Sequence, residues 1–220
     1  MWNQVTWSMV RDRDLGPIGF TDEMTPTSDG RFLDLGVFEH IARLDADTLD
    51  VVRNVEVGGA AQQGNLAPMP GTNSVVGAAI QGRLLHIDMA SGDVTAGQSR
   101  DITSLYGVAV APDGSMIAAG QPFTSSIALF DAASLQPIAR PIPAGEQTAP
   151  PAFTLDGDLV ADSRFGVSRW EMDPDEWQKM ACSAAGRDLT HVEWAEYLGD
   201  EPYRATCPQW PEPTDTGPAT

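Results

Sequence analysis

A short apolar run, an aspartate, a small polar turn and a return to apolar residues recur along this chain. The clearest copy is Ser126-Ile127-Ala128-Leu129-Phe130-Asp131-Ala132-Ala133-Ser134-Leu135. The same phrase reads as Ala42 to Leu49 and as Leu84 to Gly92, with a worn copy at Ser168 to Asp173. Its aspartates stand at 45, 88, 131 and 173, in steps of 43, 43 and 42. The turn pairs Asp29-Gly30, Pro70-Gly71, Asp113-Gly114 and Asp156-Gly157 keep the same time, with glycine steps of 41, 43 and 43. Two independent markers on one period, with several strands per unit, are the mark of β-propeller blades. The expected fold class is all-β: a propeller of about four blade units, as a partial or small ring, followed by a two-helix tail.

Alternating apolar positions bounded by Asp, Gly and Pro place the strands. Residues 1–16 read as the end of an incomplete blade, with Gln4 to Val10 as its orphan outer strand. The first full unit then runs through Pro17 to Glu23, Arg31 to Phe38, Ile41 to Leu44 and Val51 to Val57. The second uses Asn65 to Met69, Ser74 to Ile80, Arg83 to Ile87 and Asp93 to Gly97. The third uses Leu105 to Val110, Ser115 to Ala119, Ser126 to Phe130 and Pro137 to Ile142. The fourth supplies Ala152 to Leu155, Leu159 to Ala161 and Gly166 to Trp170, and no outer strand. Pairing of Gln4–Val10 beside Gly166–Trp170 would close a ring and bury two open edges.

At Asp173 the pattern turns helical. Asp173 suits an N-cap and Pro174 the first helical position, and Trp177, Met180, Ala181 and Ala184 form an apolar stripe ending near Gly186. A second helix opens at Thr190, with Glu193 completing a capping box and Leu189 with Trp194 a hydrophobic staple, and stops at Gly199. Helices this short need a surface to dock on, so Trp177, Met180, Trp194 and Leu198 are expected to pack on the propeller rim. The domains read as blades over 1–173, a docked helical tail over 174–210 and a disordered terminus over 211–220, which has nothing to bury.

Composition narrows the partners. The chain has 220 residues, with 13 basic against 31 acidic and a net charge of −18. That surface repels phosphate backbones and anionic headgroups, so neither nucleic acid nor a membrane is expected as partner. A solvated acidic surface explains the charge, with a basic partner protein as the sharper alternative. No run reaches the roughly twenty apolar residues of a membrane span. The N-terminus lacks a basic segment followed by an apolar core, so the expected compartment is the cytoplasm.

Candidate chemistry is thin. His40, His86 and His191 stand alone, without metal spacing. Asp45, Asp47 and Asp50 could in principle hold Ca²⁺, but aspartate populates tight turns by bonding its own backbone, and that reading is preferred. Cys182 and Cys207 could be a nucleophile with His191, a metal pair, a disulfide or two buried thiols; cytosolic reduction favours the thiols. Trp7, Trp170, Trp177, Trp194 and Trp210 serve either a binding platform or the docking of the tail, and docking is preferred. No catalytic, cofactor or metal residues are assigned and no cofactor is expected.

The Pro112-Asp113-Gly114 turn with its partners, and the strand ends at Asp45, Asp88 and Asp131, resemble the WD40-repeat family over roughly residues 2–173. The tail Ala181-Cys182-Ser183-Ala184-Ala185-Gly186-Arg187-Asp188-Leu189-Thr190, then Glu193-Trp194, then Tyr203 to Pro208, resembles the C-terminal end of large bacterial WD40 proteins. In those proteins the repeats follow a signalling NTPase module. No Gly-His opens a unit here, no beat ends in Trp-Asp, and no phosphate-cradling Gly-x-x-x-x-Gly-Lys motif is present, so the NTPase activity does not carry over. The resemblance implies a non-catalytic module for protein–protein interaction or sensing, with a protein partner and with self-association through open blade edges as a further option. The alternative is a propeller hydrolase or metal enzyme acting at the central channel. It would need acids or histidines at equivalent strand starts, and the positions around Pro17, Asn65, Tyr106 and Ala152 are not acidic.

Overall fold

The computed structural model describes residues 9, 12, 14, 24–37, 39–58, 61–79, 82–97, 102, 104–121, 123–144, 150–163 and 166–211. The chain divides into two compact units, Met1–Trp170 and Glu171–Thr220. In the first, four antiparallel sheets follow one another, each with its strands in chain order. Sheet I is β1 (Met24–Pro26), β2 (Phe32–Val37), β3 (His40–Asp45) and β4 (Val51–Glu56). Sheet II is β5 (Ala61–Pro68), β6 (Ser74–Ala79), β7 (Arg83–Asp88) and β8 (Val94–Ala96). Sheet III is β9 (Tyr106–Val110), β10 (Met116–Gln121), β11 (Ser126–Asp131) and β12 (Ile142–Pro143). Sheet IV has three strands, β13 (Ala152–Phe153), β14 (Leu159–Ser163) and β15 (Gly166–Trp170). The expected missing outer strand of the fourth unit is thus missing among the described residues.

The repeated beat is a repeated turn. Asp45 Oδ1 accepts the N–H groups of Asp47 (3.0 Å) and Thr48 (2.8 Å), and Asp88 Oδ1 accepts those of Ala90 (2.7 Å) and Ser91 (3.1 Å). Asp131 Oδ1 accepts the N–H of Ser134 (2.7 Å) and its hydroxyl (2.5 Å). In all three the residue four positions on, Leu49, Gly92 or Leu135, has positive φ and donates its N–H to the aspartate carbonyl at 2.8 to 2.9 Å. The N–H of the residue after each aspartate bonds back across the sheet, Ala46 to Arg31, Met89 to Asn73 and Ala132 to Ser115. The aspartate is therefore a turn-former in each copy.

The second marker is also geometric. Gly30, Gly114 and Gly157 close their β-turns at the fourth corner, donating to Thr27, Ala111 and Thr154. In sheet II that corner is Thr72, which donates to Met69, while Gly71 with φ 68 sits one place earlier behind Pro70. Pro-Gly at the central positions is a type II signature. Counted by corner, the uneven glycine step disappears: 30, 72, 114 and 157 advance by 42, 42 and 43.

Packing explains why the strands of sheet II are apolar on successive residues. Val75, Leu85 and Ile87 join Ile41 and Val55 of sheet I, and Val57 just past its last strand, in one buried cluster. Val76, Ala78 and Leu84 join Ile117, Ala119, Ala128 and Phe130 of sheet III in another. Adjacent residues of a strand point to opposite faces, so sheet II is covered on both. The sheets meet through their first strands: β1 and β2 neighbour β5, β5 neighbours β9, and β9 neighbours β13. At Gly97 the end of sheet II comes so close to sheet III that a Cβ would lie 2.5 Å from the Leu135 carbonyl oxygen.

One polar tie lies inside this apolar stack. Asp34 on β2 and Arg43 on β3 are cross-strand partners. Arg43 Nε and Nη2 donate to the two Asp34 oxygens at 2.7 Å each, with side-chain exposures of 4% and 0%. Arg43 Nη1 also donates to the Asn73 side-chain oxygen in the turn ahead of β6, so the fork links sheets I and II. Arg53 on β4 adds a second link, Nη2 to the Ser91 carbonyl at 2.8 Å.

Three expectations need correction or restriction. The first strand of sheet I is described at Met24–Pro26, directly ahead of its turn, whereas Pro17–Glu23 lies outside the described residues. The outer strand expected over Pro137–Ile142 is broken into a single bridge, Phe130 with Pro137, and the two-residue β12. Pro137, Pro141 and Pro143 have no N–H to give a ladder, which confines such a segment to a ragged edge. Of Gln4–Val10 only Met9 is described, exposed and in a β-bridge, so ring closure falls outside the described residues, as does the tail beyond 211.

Two tests follow. Asp34→Ala leaves Arg43 buried without its carboxylate and should cost about 3–5 kcal/mol in chemical denaturation; a cost below about 1 kcal/mol would show the pair is not effectively buried in solution. The second test is acid. Thr48 N–H holds the Asp45 carboxyl below the usual aspartate range, the N–H groups of Ala90 and Ser91 do the same for Asp88, and the Ser134 hydroxyl and N–H for Asp131. A depressed native pKa gives stability that is complete above the unfolded value of about 4 and is lost as pH falls through the native value. The denaturation midpoint should therefore hold between about pH 7 and 5 and fall below about pH 4. A midpoint that rose on acidification would mean that relief of the −18 net charge dominates instead.

Candidate interaction surface

Residues 171–211 make a small unit held by capped helices, a disulfide and buried hydrogen bonds. Helix α1 spans Pro174–Ala185 and α2 spans His191–Leu198. Asp173 caps α1 by accepting the Asp175 N–H at 2.8 Å, and Gly186 ends it in the left-handed region, φ 66. Thr190 and Glu193 form the expected capping box on α2. Glu193 is further held by a bidentate Arg187, at 2.7 and 2.6 Å. That guanidinium, with the Thr190 N–H, pulls the Glu193 carboxyl down to about 2.

Behind the helices sits a covalent and polar knot. Cys182 and Cys207 form a disulfide, with the two residues 3% and 6% exposed. The expectation of two free thiols is overturned: the return of the chain after α2 brings position 207 onto α1, which spacing alone does not reveal. The nucleophilic-thiol and metal-pair readings close with it. Asp188, 2% exposed, accepts the N–H groups of Leu189 (2.9 Å) and Thr206 (3.0 Å) and the Thr206 hydroxyl (2.5 Å), all on Oδ1. Burial opposes its ionisation, but these donors outweigh burial and hold the carboxyl below the usual range. Trp194, 4% exposed, donates Nε1–H to the Glu201 carbonyl at 2.7 Å and meets Tyr203 edge-on. Tyr203 donates to the Leu189 carbonyl at 3.0 Å and stacks on His191 with ring centres 3.9 Å apart. Trp210 Nε1–H reaches the Cys182 carbonyl at 2.9 Å.

Against this satisfied interior, the apolar stripe of α1 faces outward. Trp177 is 38% and Met180 57% exposed, Ala181 and Ala184 are exposed too, and Cys182 is the helix's one buried residue. Positions i, i+3, i+4 and i+7 share one helix face. On α2, Val192, Tyr197 and Leu198 are exposed as well. Trp194, by contrast, is buried within its own unit.

The other candidates resolve to structure. Asp45 and Asp47 of the Ca²⁺ reading sit in the turn described above, with Asp45 Oδ1 already engaged by two N–H groups. Among the described residues no group of three or more His, Cys, Asp or Glu converges as metal ligands would. His40 begins β3 and His86 lies mid-β7 on the same face as buried Leu84. The described first-strand starts in sheets I, III and IV are Met24, Tyr106 and Ala152, all exposed, and none is a carboxylate. No helix among the described residues is long and apolar enough to cross a membrane. No protein-family model matches the chain. No curated protein matches it either.

Asp188→Ala would strip the acceptor from three donors, two of them backbone. Leaving buried donors unpaired costs about 1–3 kcal/mol per group, so limited proteolysis between 186 and 207 should accelerate by at least roughly tenfold. Equal cleavage of the two proteins would show that the carboxylate is not the knot.

Proposed function

We propose that this chain is a non-catalytic WD40-like β-propeller module for protein–protein interaction or sensing, related to part of a larger bacterial signalling protein. The observation that carries the reading is the exposed apolar stripe of α1, on a helix whose one fully buried residue is Cys182. Short helices rarely persist in water unsupported, and exposed aromatic and methionine side chains on a rigid element are typical anchors of an interface. The propeller reading draws support from four meander sheets on one period whose first strands neighbour one another in order. The non-catalytic reading draws support from strand starts without carboxylates and from aspartates and cysteines already engaged in turns and a disulfide. The net charge of −18 favours a partner with a basic rim around an apolar groove.

The cytoplasmic compartment expected from sequence has one observation against it. Disulfides persist in oxidising surroundings and are rare where glutathione and thioredoxin act, so the oxidised form fits an extracytoplasmic setting better.

The test is capture with the purified chain, followed by Trp177→Glu with Met180→Glu. Loss of a central aromatic anchor removes about 2 kcal/mol or more, so affinity for a captured protein should fall at least about thirtyfold with melting unchanged. Capture that survives both substitutions would place the interface elsewhere.

A further inference from the structure

We propose that the Cys182–Cys207 disulfide is a lock for α1 alone, so that reduction frees this helix while α2 and the sheets keep their structure. The inference stands apart from the interaction reading, since it concerns what holds the helix and not what binds it. It rests on how unevenly the two halves of the 171–211 unit are secured.

Helix α2 has several independent fastenings. They are the Thr190–Glu193 box, the Arg187 fork, buried Trp194 with its bond to Glu201, and Tyr203 held between Leu189 and His191. Asp188 ties Thr206 back to the start of that half without any help from α1. Helix α1 has much less. Its one buried residue is Cys182 itself. Apart from the disulfide, its side-chain bonds outside the helix are few: Trp177 donates its indole N–H to the Glu171 carbonyl just ahead of the helix at 2.6 Å, Gln178 donates to the Thr206 carbonyl, and the Cys182 carbonyl accepts from Trp210. Its apolar stripe is only partly covered, with Trp177 38% and Met180 57% exposed. A 12-residue helix with one buried side chain is below what tertiary packing ordinarily supplies, so the covalent bond carries the attachment.

Reduction is by exchange. A thiolate of a dithiol reductant attacks one sulfur, a mixed disulfide forms, and the second thiol of the reductant closes its own disulfide. Two electrons and two protons pass to Cys182 and Cys207 as thiols. Both residues are buried, so the attack waits on local opening, and the bond should resist low reductant concentrations.

The experiment compares the full chain oxidised and after dithiothreitol, with the two freed thiols verified by alkylation mass shift, using residue-level hydrogen exchange. With Thr206 still tied to Asp188 the loop that the disulfide closes around α1 is short, and its opening should lower protection of α1 amides by at least roughly tenfold. Amides of α2 and of β5 to β11 should stay within about twofold. The Cys182→Ser, Cys207→Ser variant should show the reduced pattern without reductant. The proposal is overturned if α1 keeps its protection in verified reduced protein or in the variant. It fails equally if α1 is already unprotected when oxidised, or if α2 is lost together with α1.

Discussion

The structure depends on one local interaction used repeatedly: an aspartate carboxylate that accepts the backbone N–H groups of its own turn. At Asp45, Asp88 and Asp131 this bond reverses the chain between the third and fourth strands of a sheet. It also sets the positive-φ corner four residues on. With the reversal fixed, the register of the flanking strands follows, and with the register the sorting of side chains to two faces. Sheet II shows the consequence, since Val75 and Val76 are neighbours in sequence yet belong to different interfaces. Stacking then brings Arg43 of sheet I to Asn73 of sheet II.

This use of aspartate also bears on the chemistry, because the Oδ1 atoms of Asp45, Asp88 and Asp131 are each engaged by two donors of their own turn. The acid-rich composition, which first invites thoughts of metal binding, resolves into turn bonds, caps and a solvated surface. Functional interest moves to the helical unit, where Asp188 and Trp194 are buried and hydrogen-bonded while the apolar stripe of α1 is exposed.

Repeat period, strand order, both helices and their caps were legible in the sequence because each depends on neighbours within a few residues. Asp173, Gly186, Thr190, Glu193 and Gly199 do where they stand what their chemistry predicts. Less legible was anything set by distant parts of the chain. The cysteine pairing depends on the path of residues 199–207 back to α1. The ragged β12 was readable in principle from Pro137, Pro141 and Pro143, whose missing N–H groups outweigh the apolar alternation around them.

The most direct measurement is a carbon-detected NMR titration of the Asp45, Asp88 and Asp131 carboxyl groups, with and without added calcium. The account predicts three native midpoints below the usual aspartate range, moving together as copies of one turn and indifferent to the cation. Midpoints at or above that range, or a calcium-dependent shift at any of the three, would contradict it.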